Sequence, residues 1–215
     1  MADTKEAILT AALTLFAANG YEAVSVSQIA GRLGITKGAL YRHYQNKRDI
    51  FDHILSRMED MDLQQAKKFD LPEKTPEEDS SAYARASVQR LAEFSKAQYR
   101  YWTENEFASL FRRMLTLEQF RSREMQALYQ NYLVSGPVRY VEEILRCNGF
   151  SAPGERAAAF FGTMFLCFSL YDSAEDKQLV TEKTMKTLDW LAREILEKGE
   201  MNGNESHQLG VGNGA

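Results

Sequence analysis

The sequence predicts an all-α protein, with an N-terminal three-helix domain carrying a helix-turn-helix followed by a larger helical domain. Three observations carry that expectation. Apolar residues recur at three- and four-residue spacing, and strand-like alternation is nowhere sustained. Residues 25–44 hold two helix-start signals separated by a glycine turn. Proline and glycine mark the breaks between the periodic segments.

The elements follow in order. A first helix runs from a Thr4 cap to about Ala18, with Ile8, Ala12, Leu15 and Phe16 on one stripe and Gly20 past its end. Ser25 and Gln28 form a capping box, opening a helix whose buried edge is Ile29, Ala30 and Leu33. Gly34 supplies the left-handed residue of a short interhelical turn. Thr36 caps the next helix, with Leu40 buried beneath it. A long helix starts near Lys47, carries Ile50, Phe51, Ile54, Leu55 and Met58, and turns polar toward Phe69. Leu71–Ser81, with two prolines and dense acid, reads as a loop. Helices are expected over about 82–102, 104–116 and 117–132. Ser135-Gly136-Pro137 interrupts the run before a helix over 138–147, and the last two span about 155–173 and 177–199. The Gly-, Asn- and Ser-rich stretch 201–215 reads as a disordered tail. The expected division is therefore a helix-turn-helix domain over 1–50, with the helix from about 47 as connector, a larger helical domain over 51–200, and the tail.

The second helix of the pair carries the chemistry. Its predicted outward residues are Thr36, Lys37, Gly38, Ala39, Tyr41, Arg42, His43 and Tyr44, with no acid among them. Residues 31–50 hold five Lys or Arg against one acid, Asp49, a net +4, whereas the whole chain is net −4, so the remainder sums to −8. A compact basic patch on an acidic chain is the footprint of a polyanion site. Ser25, Ser27, Thr36, Tyr41, His43, Tyr44 and Lys47 are expected to hold phosphates, aided by helix N-termini. Lys37 and Arg42 are the candidates for base edges, with Gly38 and Ala39 letting the backbone lie close in the major groove.

These residues resemble the N-terminal domain of the TetR family of transcriptional repressors. The matching stretch runs from Thr4 to about Leu55 and includes Ile8-Leu9-x-x-Ala12-x-x-Leu15-Phe16, Asn19-Gly20-Tyr21 and the Ser25–Ile35 helix and turn. It continues through Thr36-Lys37-Gly38-Ala39-Leu40-Tyr41-x-His43-Tyr44 and Asn46-Lys47-x-x-Ile50-Phe51. The resemblance implies an all-helical homodimer whose larger C-terminal domain binds a small molecule and releases the protein from its operator. It also implies a dimer interface built as a four-helix bundle from the last two long helices of both subunits. Arg42 adds charge at a variable position and leaves the operator sequence open.

The C-terminal two thirds bear on partners. The segment 155–173 is apolar on nearly every face, so it must be covered all round. The next helix has Met185, Leu188, Leu191, Ala192 and Ile195 on one stripe, with Trp190 off it. Phe161, Phe165, Leu188, Leu191 and Ile195 are the dimerisation candidates, since palindromic half-sites require a two-fold protein. The middle of the chain is rich in aromatics and methionine, including Phe120, which suits an apolar cavity with a few hydroxyls. Trp102, Phe107, Phe111, Met114, Tyr129, Met164 and Phe168 are the candidate lining for a small-molecule effector. Arg112 and Arg113 are better explained by solvent or salt bridges than by an anionic ligand.

Other classes fit poorly. HExxH, GxSxG, P-loop and GxGxxG motifs are missing, so neither an enzyme, a metal site nor a cofactor is expected. Asp3, Lys5 and Glu6 interrupt any signal peptide, and the longest apolar run falls short of a membrane span. Cys147 and Cys167, with apolar neighbours and no CxxC spacing, read as reduced, buried thiols of a cytoplasmic protein. Two hypotheses stand: a ligand-released repressor, and a constitutive DNA-binding protein whose C-terminal domain docks a protein partner.

Overall fold

The computed structural model describes residues 4–74, 78–86 and 88–204, without the side chains of 84, 85, 88 and 195–204. Every described element is a helix: α1 (Thr4–Asn19), α2 (Val26–Arg32), α3 (Lys37–Tyr41), α4 (Lys47–Lys68), α5 (Ser80–Arg85), α6 (Val88–Glu104), α7 (Glu106–Glu118), α8 (Arg123–Leu133), α9 (Ser135–Cys147), α10 (Pro153–Ser173) and α11 (Lys177–Asn204). They form two compact units, the first comprising 1–64 and 101–134, the second 65–100 and 135–215. Unit one is thus larger than the helix-turn-helix segment, because α7 and α8 join it.

In unit one, α1 lies between α2 and α7. Both sides of α1 are consequently buried: Leu9, Ala11 and Leu13 join Ile8, Ala12 and Phe16, while Leu15 is only half-buried. The single stripe expected for α1 is corrected by α7, which covers its second side. Ile50, Phe51, Ile54 and Met58 of α4 complete this core, with Tyr21 against both Phe16 and Phe51. Asn46 starts α4, its side-chain oxygen accepting the Asp49 N–H at 2.9 Å.

In unit two, α10 packs on α9 and α11, and α5 packs on α9. Ala157, Phe160, Phe161, Met164, Cys167 and Phe168 fill the core from α10, and Leu188 and Ala192 from α11. The Tyr99 and Phe168 rings stack at 5.7 Å, inclined by only 5°. Asn148 donates to the carbonyls of Ile144 and Ala86, and Tyr140 donates its hydroxyl to the Pro72 carbonyl at 3.0 Å.

Helix boundaries depart from expectation in three places. The helix read over 82–102 is two helices, α5 and α6. α9 begins at Ser135, with Pro137 inside its first turn, where a missing N–H costs nothing. α11 runs on to Asn204, into the segment read as tail; 205–215 lie outside the described residues. Cys147 is half-buried and Cys167 buried, and both are free thiols. Among the described residues, no helix is long and apolar enough to cross a membrane.

Candidate nucleic-acid interface

The reader is built by local chemistry. The Ser25 Oγ accepts the Gln28 N–H at 3.3 Å and the Gln28 side chain accepts the Ser25 N–H at 2.7 Å, a complete capping box on α2. Gly34 then sits at φ +67°, and the Ile35 N–H returns to the Ala30 carbonyl, turning the chain toward α3. Thr36 caps α3, its Oγ1 accepting the Ala39 N–H at 3.1 Å. Leu40 is fully buried and anchors this short helix from below.

Thr36, Lys37, Gly38, Tyr41 and Arg42 share the exposed side, and Ala39 and His43 are half-buried. Ser25 and Ser27 are exposed at the start of α2. Among the described residues Arg32, Lys37 and Arg42 pair with no carboxylate; the Lys37 ammonium lies 5.7 Å from the Tyr41 ring centre. Gly38 is informative in a different way. A methyl group there would meet nothing nearer than Thr36 Oγ1 at 3.9 Å, and its φ is not left-handed. Nothing within the protein therefore demands glycine in this helix, where it costs about 1 kcal/mol relative to alanine.

Two expected contacts, and one further cation of the basic patch, look different in three dimensions. Tyr44 is only 2% exposed, which corrects its place on the outward face. Its ring packs edge-on to His53 and its hydroxyl donates to the Lys5 carbonyl at 3.3 Å, because the chain leaves α3 at Tyr41 and turns that side chain inward. Lys47 is engaged: its ammonium donates to the Tyr21 carbonyl at 2.9 Å, lies 3.5 Å from the Glu22 carboxylate and sits 4.2 Å from the Tyr21 ring centre. Arg48, counted in the basic patch, pairs with Asp52 and Glu124, each at 2.7 Å. The uncompensated charge is thus concentrated on Arg32, Lys37 and Arg42.

A buried acid that sequence reasoning missed holds the reader's rear. Glu118 of α7 is 1% exposed, and its Oε1 accepts the Tyr21 N–H at 3.1 Å. Gly20, at φ +85°, makes room for it, since a methyl group there would stand 2.5 Å from that oxygen. No spacing signal links residues 97 positions apart in the chain.

The candidate effector lining divides between the units. Trp102, Phe107, Phe111, Met114 and Tyr129 are buried in unit one, and Met164 and Phe168 in unit two. Phe120 is 89% exposed and corrects its place among the cavity aromatics. Arg112 is buried, donating its Nε–H to the Trp102 carbonyl at 3.1 Å. The dimerisation candidates divide too. Phe161 and Leu188 are spent inside unit two, which corrects their assignment to an outer face, whereas Phe165 is exposed and Leu191 half-buried. Ile195's side chain lies outside the described residues. Among the described residues, the exposed large apolar side chains of α10 and α11 are Phe165, Leu166, Leu170, Leu179 and Trp190.

Residues 8–54 match the family profile "Bacterial regulatory proteins, tetR family". Over 74 residues the chain is 39% identical to the HTH-type transcriptional repressor BepR of Brucella suis, a match covering 33% of this chain and 35% of that protein. The chain thus spans about a third of the length of the curated relatives it matches. A transcriptional regulator of the TerR/AcrR family from Aquifex aeolicus has the same fold, with a TM-score of 0.62 at 22% identity over 87% of this chain and 99% of that one. The triclosan complex of SmeT, the repressor of the Stenotrophomonas maltophilia multidrug efflux pump SmeDEF, gives a TM-score of 0.55 at 19% identity over 86% and 90%.

Proposed function

With residues 8–54 placing this chain in the tetR family of bacterial regulatory proteins, we propose that it is a homodimeric, sequence-specific transcriptional repressor. A small, mostly apolar or aromatic ligand releases it from a pseudo-palindromic operator in the cytoplasm. The observation that carries the reading is the α3 face: Lys37 and Arg42 exposed and unpaired beside a glycine that no internal contact requires. Cations without a carboxylate partner can displace the counter-ions condensed on DNA phosphates, and a bare backbone lets α3 approach the base edges.

Two further observations support the remaining parts. Among the described residues, five large apolar side chains exposed on α10 and α11 favour a second copy of the chain as their cover. One protein of similar fold is described with triclosan, a small aromatic molecule, which supports the effector class. Release follows if the effector binds the conformation that cannot span both half-sites. DNA must then weaken effector binding by the same factor, typically about 5–150-fold.

The test is operator affinity, on a duplex selected from a randomised pool, with and without a saturating effector found by screening aromatic and amphipathic compounds. A fall in affinity supports release. A ligand that binds stoichiometrically and leaves operator affinity unchanged overturns it and favours the constitutive protein-docking reading. Light scattering at micromolar concentration decides who covers the apolar face: a mass of two chains supports the homodimer, and a stable monomer favours a different protein partner.

A further inference from the structure

We propose that unit one holds a binding site for a hydrophobic organic cation, built from the Asp62 carboxylate, the Tyr101 and Tyr132 phenols and the ring wall of Trp102 and Phe111. Its use as an effector site rests on the regulatory reading above; the site itself rests on the following observations.

Asp62 lies near the end of α4, in a stretch that reads as solvated acid. Its Oδ1 is nevertheless buried and has no hydrogen-bond partner. Tyr101, on α6 and only 7% exposed, buries a hydroxyl that is likewise without a partner. Orphaned groups of this kind are rare inside proteins and need a cause. The groups also feel one another across three helices. Burial, and then the Glu59 charge, raises the Asp62 carboxyl to about 7. Burial followed by the Asp62 charge pushes the Tyr101 phenol up, and burial followed by Glu59 and Asp62 does the same to Tyr132 on α8.

The nearby resident cation is already committed. Arg57, whose charge opposes the rise at Tyr101, is paired with Glu6 of α1 and lies 4.0 Å over the Phe107 ring of α7. No ion pair to Asp62 exists among the described residues. Meanwhile the aromatic rings form a continuous series: Tyr101 to Trp102 at 5.5 Å, Trp102 to Phe111 at 6.5 Å, and Phe111 to Tyr132 at 5.1 Å. Its two ends are the phenols that sense Asp62. A buried carboxylate beside electron-rich ring faces is the chemistry that recognises an ammonium group on an apolar body. An anion would meet Asp62 and Glu59 as like charges, and a neutral ligand would leave the carboxylate's burial uncompensated.

The experiment uses the full chain and calorimetry with benzyltrimethylammonium against its uncharged carbon isostere, neopentylbenzene. At pH 8 the parent should favour the cation at least tenfold, and that preference should fall several-fold by pH 6 as the carboxyl takes up its proton. The isosteric Asp62→Asn should abolish both the preference and its pH dependence. Independently of any variant, cation binding to the parent at pH 7 should expel a fraction of a proton, read from the heats in two buffers of different ionisation enthalpy. Equal affinity for cation and isostere, a preference that survives Asp62→Asn, or binding without proton release overturns the site. The operator assay is a separate arm. A cation that binds with these signatures and leaves operator affinity unchanged overturns effector release alone, while a neutral compound that releases the operator, with the cation signatures missing, overturns the site alone.

Discussion

Around α3, unit one exposes Arg32, Lys37 and Arg42 with no carboxylate partner among the described residues; along α10 and α11, unit two exposes Phe165, Leu166, Leu170, Leu179 and Trp190. Other groups of each kind are engaged internally, although unit one also exposes Leu63, Leu117 and Phe120. Arg48, Arg57 and Lys47 are all tied to acids in unit one, and Phe160, Phe161 and Phe168 are buried in unit two. The two exposed surfaces are therefore incomplete in opposite ways. One lacks negative charge, and the other lacks apolar contact, so the same molecule calls for a polyanion at one place and a dehydrating protein surface at another.

The largest expected effect breaks the comparison inside unit two. Phe161→Glu places a carboxylate in the core and should cost about 3–5 kcal/mol, enough to unfold the unit in chemical denaturation. Leu166→Glu, five residues further along the same helix but exposed, should leave circular dichroism unchanged while light scattering drops from two chain masses to one. A Leu166→Glu protein that stays dimeric moves the dimer surface off α10.

Gly20→Ala tests the internal bracing of unit one. It forces a left-handed backbone onto alanine and drives Glu118 off the Tyr21 N–H, so urea midpoints should register a loss of about 2–4 kcal/mol. A loss below that of an ordinary surface substitution would show that Glu118 yields freely. Arg42→Ala and Lys37→Ala should leave stability unchanged and relax preference at one or two base pairs by about 1–3 kcal/mol each, measured by competition against single-base operator variants. If both retain the parent's preference pattern, base reading lies on other residues.

The smallest effect has opposite signs in the two assays. Gly38→Ala should stabilise the free protein by about 0.5–1 kcal/mol, because a helical glycine is replaced where there is space. It should also weaken operator binding. Stabilisation without any loss of binding would remove the close backbone approach from the mechanism.

How much of this was legible in the sequence depended on distance along the chain. The capping box at Ser25–Gln28, the Gly34 turn and the Thr36 cap are local chemistry, and the structure realises each of them. Tyr44 was misplaced because its burial depends on a backbone carbonyl of α1 and a ring of α4, neither near it in sequence. The second buried side of α1 and the Glu118 contact arise from α7, on the far side of half the chain. Asp62 did carry a signal. It continues the four-residue step of Ile50, Ile54 and Met58 on α4, so an acid stands where the stripe calls for an apolar residue. Trp190 carried one as well, since its displacement from the Leu188–Ala192 stripe is what puts it 55% in solvent.

Tyr21's peptide group is polarised from both ends, its N–H donating to the Glu118 carboxylate and its carbonyl accepting from the Lys47 ammonium. An amide proton bonded to an anion resonates far downfield and exchanges slowly with solvent. Tyr21 therefore supplies a natural spectroscopic probe: a single nitrogen-15 cross-peak, outside any helix, whose shift follows the separation of α7 from the start of α4. Titrating an effector against that one resonance reads the mechanical state of the reader directly, without DNA in the tube.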